Sequence, residues 1–342
     1  MAAVDVATLP QSDVPASMKI AFAVMVAVMV LAPFPPFEVY PVFLMKALCF
    51  ALFACAFNLL IGYGGLLSFG HAMFFGWASY VSAHLAKVGT VSLPYWAGEW
   101  HWLSIPFPAQ SPALAIVGGT LVAGLLGVVA GVVAIRRQGI YFAMITLALA
   151  QMLYFFALQA RFTGGEDGIQ GVPRGKLFGF IELSDAMTMY AVVVVIFLAA
   201  FLLIYRIVHS PFGEVLKAIR ENEPRAISLG YKTDRYKLVA FVLSAVFAGL
   251  AGATKALVFQ LASLTDVHWT MSGEVVLMTL VGGLGTIFGP VIGATIIVAM
   301  QTYLAGFGEW VPVIQGTIFV ACVLAFRRGI LGELAARLRI KL

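Results

Sequence analysis

The sequence predicts an all-α, polytopic transmembrane bundle of about ten membrane segments. Three observations predict it. Apolar residues make up 62% of the 342-residue chain and charged residues only 11%, with a mean hydropathy of +0.99. Apolar runs long enough to cross a ~30 Å hydrocarbon core recur along the whole length. Lys and Arg are gathered into a few short stretches between those runs. A soluble core has no use for such an apolar excess, whereas a polytopic membrane protein presents apolar side chains to lipid along every span.

The elements follow in order. Residues 1–17 form an N-terminal tail with Asp5 and Asp13 but no Lys or Arg cluster, so the first run, Met18–Pro35, reads as a retained span and not as a cleaved signal. The next runs are Val42–Ile61, Leu66–Ala86, Ala113–Ile135, Ile140–Ala160, Met187–Tyr205 and Leu238–Phe259. Gly273–Leu304 is too long for one crossing and is cut by "GGLGTIFGP", which predicts two short segments meeting at Gly282–Pro290. Val311–Phe326 is the last span. Residues 18–327 therefore make one transmembrane domain, with a charged loop at 206–237 inside it and a basic tail at 328–342. Cys49, Cys55 and Cys322 all fall in apolar runs and read as small hydrophobes, with no disulfide framework or metal site. No residue pattern suggests a catalytic centre or a nucleic-acid partner.

Basic residues near span ends mark the cytoplasmic side. Arg136 and Arg137, the stretch Arg206–Lys237, and Arg327, Arg328, Arg337, Arg339 and Lys341 supply most of them. Placing these three regions together puts both termini in the cytoplasm and sends Lys87–Ser111, Arg161–Ala186 and Leu261–Ser272 to the opposite side. The count of ten closes only if Gly282–Gly289 turns near the cytoplasmic face or within the membrane.

Within the charged loop, "GEVLKAIRENEPRAISLGY" (Gly213–Tyr231) holds six charged side chains of both signs. Val215, Ala218 and Ile219 fall at helical spacing between Phe212 and Asn222, with Glu214, Lys217 and Glu221 on another face. Pro224 suits the first turn of a second helix, which Gly230 stops. Two short helices lying on the membrane surface are expected. A loop that only touched lipid would have little use for Glu214, Glu221 and Glu223, whereas a docked protein would.

"GGLLSFG" (Gly64–Gly70) and "GGLGTIFG" (Gly282–Gly289) share a Gly-Gly-Leu start, a hydroxyl and a Phe-Gly finish. Paired breaks inside apolar segments expose backbone polar groups and point to a substrate path; both fall on one side of this topology, as in a parallel repeat. Close helix packing is the competing explanation, as for Gly127 and Gly131 at G-x-x-x-G spacing. Gly65, Ser68, Gly70, His71, Gly283, Thr286 and Gly289 are the path candidates. For His71 a bonded interior position is the alternative. Asn58, Gln151, Gln301 and Gln315 read as interhelical hydrogen-bonding groups, and Lys255 and Glu274 as a pair flanking one outside loop. The absence of a central carboxylate counts against an ion-coupled carrier.

Five segments resemble, in order, those of LivM-type permeases, the membrane subunits of branched-chain amino acid ABC importers. They are "GLLSFGHAMFFGWASY" (Gly65–Tyr80), "RRQGIYFAMITLALAQM" (Arg136–Met152), "FTGGEDGIQGVPRG" (Phe162–Gly175), "GEVLKAIRENEPRAISLGYKTDRYKLVAFVLSAVFAGLAGA" (Gly213–Ala253) and "LVGGLGTIFGPVIGA" (Leu280–Ala294). The resemblance implies a multi-pass protein of the bacterial inner membrane that moves Leu, Ile or Val, with relatives serving other amino acids, urea, amides or small aromatic acids. It assigns Gly213–Gly230 as the segment on which an ATPase pushes, through Gly213, Glu214, Lys217, Ala218, Arg220, Glu221, Glu223, Arg225 and Gly230. It implies four kinds of partner: a second LivM-related permease, two ABC ATPase subunits, a periplasmic binding protein docking near Arg161–Gly175, and the lipid bilayer. The chain has no G-x-x-x-x-G-K-[ST], so no cofactor is expected on it and ATP is used by the partner subunits.

Overall fold

The computed structural model describes residues 16–34, 39–88, 90–93, 103–106, 111–177, 179–326 and 329–338. Most of the tail at 1–17, together with Arg327, Arg328, Arg339 and Lys341, lies outside the described residues, as does Glu99 of the predicted outside loop. The described chain is mostly helical. Its helices are α1 (Ala16–Leu31), α2 (Pro41–Asn58), α3 (His71–Val88), α4 (Pro112–Ala134), α5 (Ile140–Gln159), α6 (Ala186–Val208), α7 (Pro211–Glu221), α8 (Glu223–Ser228), α9 (Thr233–Phe259), α10 (Trp269–Gly282), α11 (Gly289–Tyr303), α12 (Val311–Ala325) and α13 (Gly329–Leu338). Every predicted apolar run contains a helix, and the long run Gly273–Leu304 is divided between α10 and α11. Among the described residues, five helices are long and apolar enough to cross a membrane: α2 with its extension to Tyr63, α4, α5, α6 and α9.

Burial separates a central layer from a lipid-facing one. In α2, 83% of the apolar window is buried inside the protein, against 28% in α5 and 33% in both α4 and α6. The surface helices bury one face only, and α4 does so with small residues: Ala115, Gly119, Ala123, Gly127 and Gly131. Without a hydrophobic force between helices in lipid, small residues that let backbones approach supply the packing. Gly127 abuts Ala245 and Gly131 abuts Leu238 and Phe241, so the G-x-x-x-G spacing serves close packing of α4 on α9. On the opposite side α9 meets α3 at Gly252, whose Cα lies against the Phe75 backbone.

The stretch Arg161–Gly175 of the predicted outside loop is docked onto the helices. A short strand, Ile169–Gln170, pairs antiparallel with a strand at Leu261–Ala262, joining two loops distant in sequence. Arg174 then reaches the end of α9, donating from one guanidinium nitrogen to the Val258 carbonyl at 2.8 Å and from Nε to the Leu257 carbonyl at 3.4 Å. Those carbonyls have no partner within the helix, so a cation there satisfies them and opposes the helix dipole. Replacing Arg174 by Ala is expected to destabilise this end by about 1–2 kcal/mol. Faster amide exchange confined to residues 255–262 and 169–174 would register it; a global loss of protection would contradict the local cap. At the start of α6, Asp185 Oδ2 accepts from the Thr188 backbone N–H at 2.9 Å and from its hydroxyl at 3.0 Å. The backbone bond foremost holds that exposed carboxyl below its usual range.

Candidate functional site

The two glycine breaks meet. After Asn58 the helix of α2 widens into a π-turn, Leu59–Tyr63, and the chain runs irregularly from Gly64 to Gly70 before α3 begins at His71. The second break, Gly283–Phe288, is a tight turn between α10 and α11. Asn58, almost fully buried, joins them: its amide oxygen accepts from the Gly285 N–H at 3.0 Å and its amide nitrogen donates to the Thr286 carbonyl at 2.9 Å. One side chain thereby satisfies two backbone groups that a broken helix leaves without partners, the condition for irregular backbone at membrane depth.

Helix α7 closes over the same junction. Ser210 caps it, accepting from the Gly213 N–H, and Pro211 occupies its first turn. Leu216 and Ile219 are buried beneath it. The sequence-based face is corrected here: Ala218, expected inward, is exposed, because Leu216 and Ile219 are the apolar pair spaced to meet the bundle. From this helix the Arg220 guanidinium donates to the Gly62 carbonyl inside the π-turn. Its aliphatic stem covers Gly65, where a Cβ would stand 3.0 Å from Arg220 Cγ, and Gly65 also has φ 69°. Either demand favours glycine. Tyr63, Lys217, Arg220, Glu221 and Gly285 line a cleft of about 270 Å³, so Arg220 sits between the first break and the second.

Beyond α7, Asn222 caps α8 by accepting from the Arg225 N–H at 3.1 Å, and Gly230 ends the segment at φ 89°. Glu223 makes a largely buried pair with Lys237 of α9 at 2.5 Å, which fixes the second short helix to the long one. Glu214 and Lys217 pair within α7 at 2.8 Å. Glu221, Arg225, Ile227 and Leu229 face outward; Ile227 is 55% and Leu229 69% exposed, an apolar tip on an otherwise charged ridge.

The remaining path candidates lie in the interior. Ser68 is fully buried and accepts from the Gly70 N–H at 3.2 Å. His71, also fully buried, stands among Phe57, Phe74 and Phe241, with Nε2 2.8 Å from the Ser244 hydroxyl. Ser244 donates onward to the Ala56 carbonyl at 2.5 Å, so Nε2 carries the proton it shares with Ser244. Thr286 donates to the Gly283 carbonyl at 2.8 Å and accepts from the Gly289 N–H at 3.2 Å, tightening the second turn. Residues not singled out as site residues support the first break: Thr146 of α5 accepts from the Phe69 N–H and Ser272 of α10 from the Ala72 N–H. Hydroxyls in apolar helices opposite a glycine run were their only signal. Lys255 and Glu274 do not pair with one another. Lys255 pairs with Asp266 at 2.5 Å and Glu274 accepts from Gln301 at 2.9 Å. Among the described residues no group of three or more His, Cys, Asp or Glu could hold a metal ion. The two breaks, Asn58 and Arg220 thus form one hydrogen-bonded junction.

Residues 41–325 match the family described as branched-chain amino acid transport system, permease component. The chain is 25% identical to the high-affinity branched-chain amino acid transport system permease protein LivM of Salmonella typhimurium strain LT2, covering 83% of this chain and 68% of that protein. It is 26% identical to the LivM protein of Escherichia coli K12 over the same shares. It is likewise 26% identical to the LivH permease protein of Salmonella typhimurium, over 83% of this chain and 91% of the relative. No solved structure matches it.

Proposed function

This chain belongs to the family of branched-chain amino acid transport permease components, and from that membership we propose that it is one membrane subunit of an ATP-driven importer of Leu, Ile or Val. Its partners in this proposal are a second, related permease, two ATPase subunits and a periplasmic binding protein, in the bacterial inner membrane. Similarity to both LivM and LivH proteins supports a paired permease. About ten crossings with both termini cytoplasmic fit the Lys and Arg distribution. The contact of α7 with both breaks supports placing the second break at the same face as the charged loop.

The observation that carries the mechanism is the Arg220 link. An outward ridge, α7–α8, ends in a side chain inserted between the two breaks where central helices are interrupted. Closure of the ATPases moves the ridge. The ridge moves Arg220, and with it the Asn58-bridged turns, so that the path through Gly65, Ser68, Gly70, His71, Gly283, Thr286 and Gly289 opens and closes. Ser68 and Thr286 are bonded to the backbone of their own breaks.

The ATPase is proposed to seat on the exposed tip. Ile227→Asp places a charge there without touching the interior and is expected to lower uptake about tenfold or more. Recovery of the ATPases with the affinity-tagged permease should fall in parallel, as read by quantitative mass spectrometry of the purified complex. Undiminished uptake and recovery would remove α8 from the docking surface. Recovery of the wild-type chain with no P-loop ATPase, while amino acids still follow an ion gradient, would replace the importer reading with an ion-coupled carrier.

A further inference from the structure

Away from the glycine breaks lies a second set of polar residues that the junction does not use. Lys46 stands twelve residues before Asn58 on α2, about 18 Å along a helix of 1.5 Å rise per residue. Gln301, near the end of α11, binds Glu274 of α10, and Tyr303 at the same end of α11 meets Phe43, one turn before Lys46; Lys255 and Asp266 form a separate pair. Their charges act on one another: Lys46 is attracted by Glu274 and repelled by Lys255, and Glu274 is repelled by Asp266.

The two halves of this cluster differ. Lys255 and Asp266 are buried and satisfied, since Asp266 Oδ2 takes Lys255 at 2.5 Å and the Ser263 N–H at 3.3 Å. Lys46 and Glu274 are only half-buried. Among the described residues the Lys46 ammonium has no hydrogen-bond partner, and Glu274 uses Oε2 alone, toward Gln301 at 2.9 Å. A cation one turn from Phe43 and a carboxylate oxygen are thus left without a hydrogen bond. Charged side chains on membrane helices face protein or a wet cavity. Beside them Phe43, one turn before Lys46, meets Tyr303 of α11 with ring centroids 6.0 Å apart, an apolar wall.

We propose that Lys46 and Glu274 form a charged subsite for a zwitterionic α-amino acid on its way to the breaks. Lys46 takes the carboxylate, Glu274 Oε1 takes the ammonium, and Phe43 with Tyr303 faces the aliphatic side chain. This rests on the transport reading above and narrows it. An uncharged urea or amide offers neither charge and a simple aromatic acid offers only one, so each leaves a buried charge without its partner.

The test uses the complete assembly of permease pair, ATPases and binding protein in proteoliposomes, with L-leucine as probe. Lys46→Met and Glu274→Gln are each expected to reduce L-leucine uptake about tenfold or more, equivalent to ~1.4 kcal/mol, at unchanged membrane content. To separate a lost site from a misfolded protein, Lys46→Cys and Glu274→Cys are made with Cys49, Cys55 and Cys322 replaced by Ala. Both should react with a membrane-impermeant methanethiosulfonate added outside, and leucine-loaded binding protein should slow that reaction. Full uptake by both charge-removing variants, cysteines that stay unlabelled, or acetamide entering the wild-type assembly as fast as leucine would each overturn the subsite. A wild-type assembly that takes up no leucine would instead overturn the transport reading itself.

Discussion

Arg220→Ala is expected to cut amino acid uptake by about tenfold to a hundredfold while ATP hydrolysis by the assembly continues, the range of coupling energies of about 1–3 kcal/mol between linked sites. The argument is geometric. Arg220 leaves the exposed helix α7, donates to the Gly62 carbonyl within the π-turn and covers Gly65 and the edge of Gly285. Truncation frees that carbonyl and removes the only side chain of α7 described as hydrogen-bonded to the first break, so motion of the ridge no longer reaches it. Arg220→Lys sharpens the test. It keeps the charge but lacks a planar fork that can hold Gly62 while lying over Gly285, so it should restore little of the coupling. Asn58→Leu, which breaks the bridge between the breaks from inside, should produce the same uncoupling with a larger loss of thermal stability, because two buried backbone groups lose their partner. Undisturbed uptake in Arg220→Ala would show that the ridge drives the bundle by another route. The double replacement of Arg220 and Glu221 by Ala should be no worse than Arg220→Ala alone, since Glu221 is exposed and makes no described bond to either break.

The largest effect on stability should come from Gly252→Leu. At that position α9 crosses α3 so closely that even a Cβ would collide with the Phe75 carbonyl and carbonyl carbon, atoms of backbone that cannot rotate away. Either α9 lifts off α3, which loosens that crossing, or the variant fails to fold. Overpacking against side chains costs up to about 3 kcal/mol, and against backbone the cost lies at or beyond that end. Unfolding in detergent, followed by thermal shift, measures it. Gly316→Ala is the reference: that glycine lies in α12 with nothing within 4 Å of where the added methyl group would stand, and the change should be neutral or stabilising by up to ~1 kcal/mol through helix propensity. A Gly252→Leu protein as stable as Gly316→Ala would mean that the α3–α9 crossing is not a packing constraint.

Much of this architecture was legible in one dimension because membrane insertion imposes rules that act locally. Apolar length predicts a helix, and each predicted run contains one. Pro224 and Gly230 marked the start and stop of α8, since both residues act through backbone geometry that needs no neighbour. The glycine breaks were visible for the same reason. What a side chain does across 150 or 200 residues of chain was not. The buried face of α7 was misplaced because Leu216, Val215 and Ala218 are all apolar, and only the bundle beneath decides which points in. Lys255 and Glu274 flank one predicted outside loop, where the sequence allows them to snorkel or to pair; the fold gives Asp266 to the first and Gln301 to the second. Arg174 looked like one charge in a turn-rich connector until the loop folded onto α9.

By itself the sequence determined that this is a polytopic α-helical protein, where its helices break and which loop carries the charge, properties that depend on composition and on backbone preferences read a few residues at a time; its permease family rests on the resemblance of ordered motifs. Only the tertiary structure decided that Asn58 ties the two breaks together, that Arg220 reaches them from the charged loop, and that Lys46 and one carboxylate oxygen of Glu274 are left without a hydrogen bond among the described residues. In a membrane, where water cannot satisfy a stray donor or acceptor, each such group must find its partner inside the protein. That partner is set by three-dimensional proximity, which no local pattern encodes.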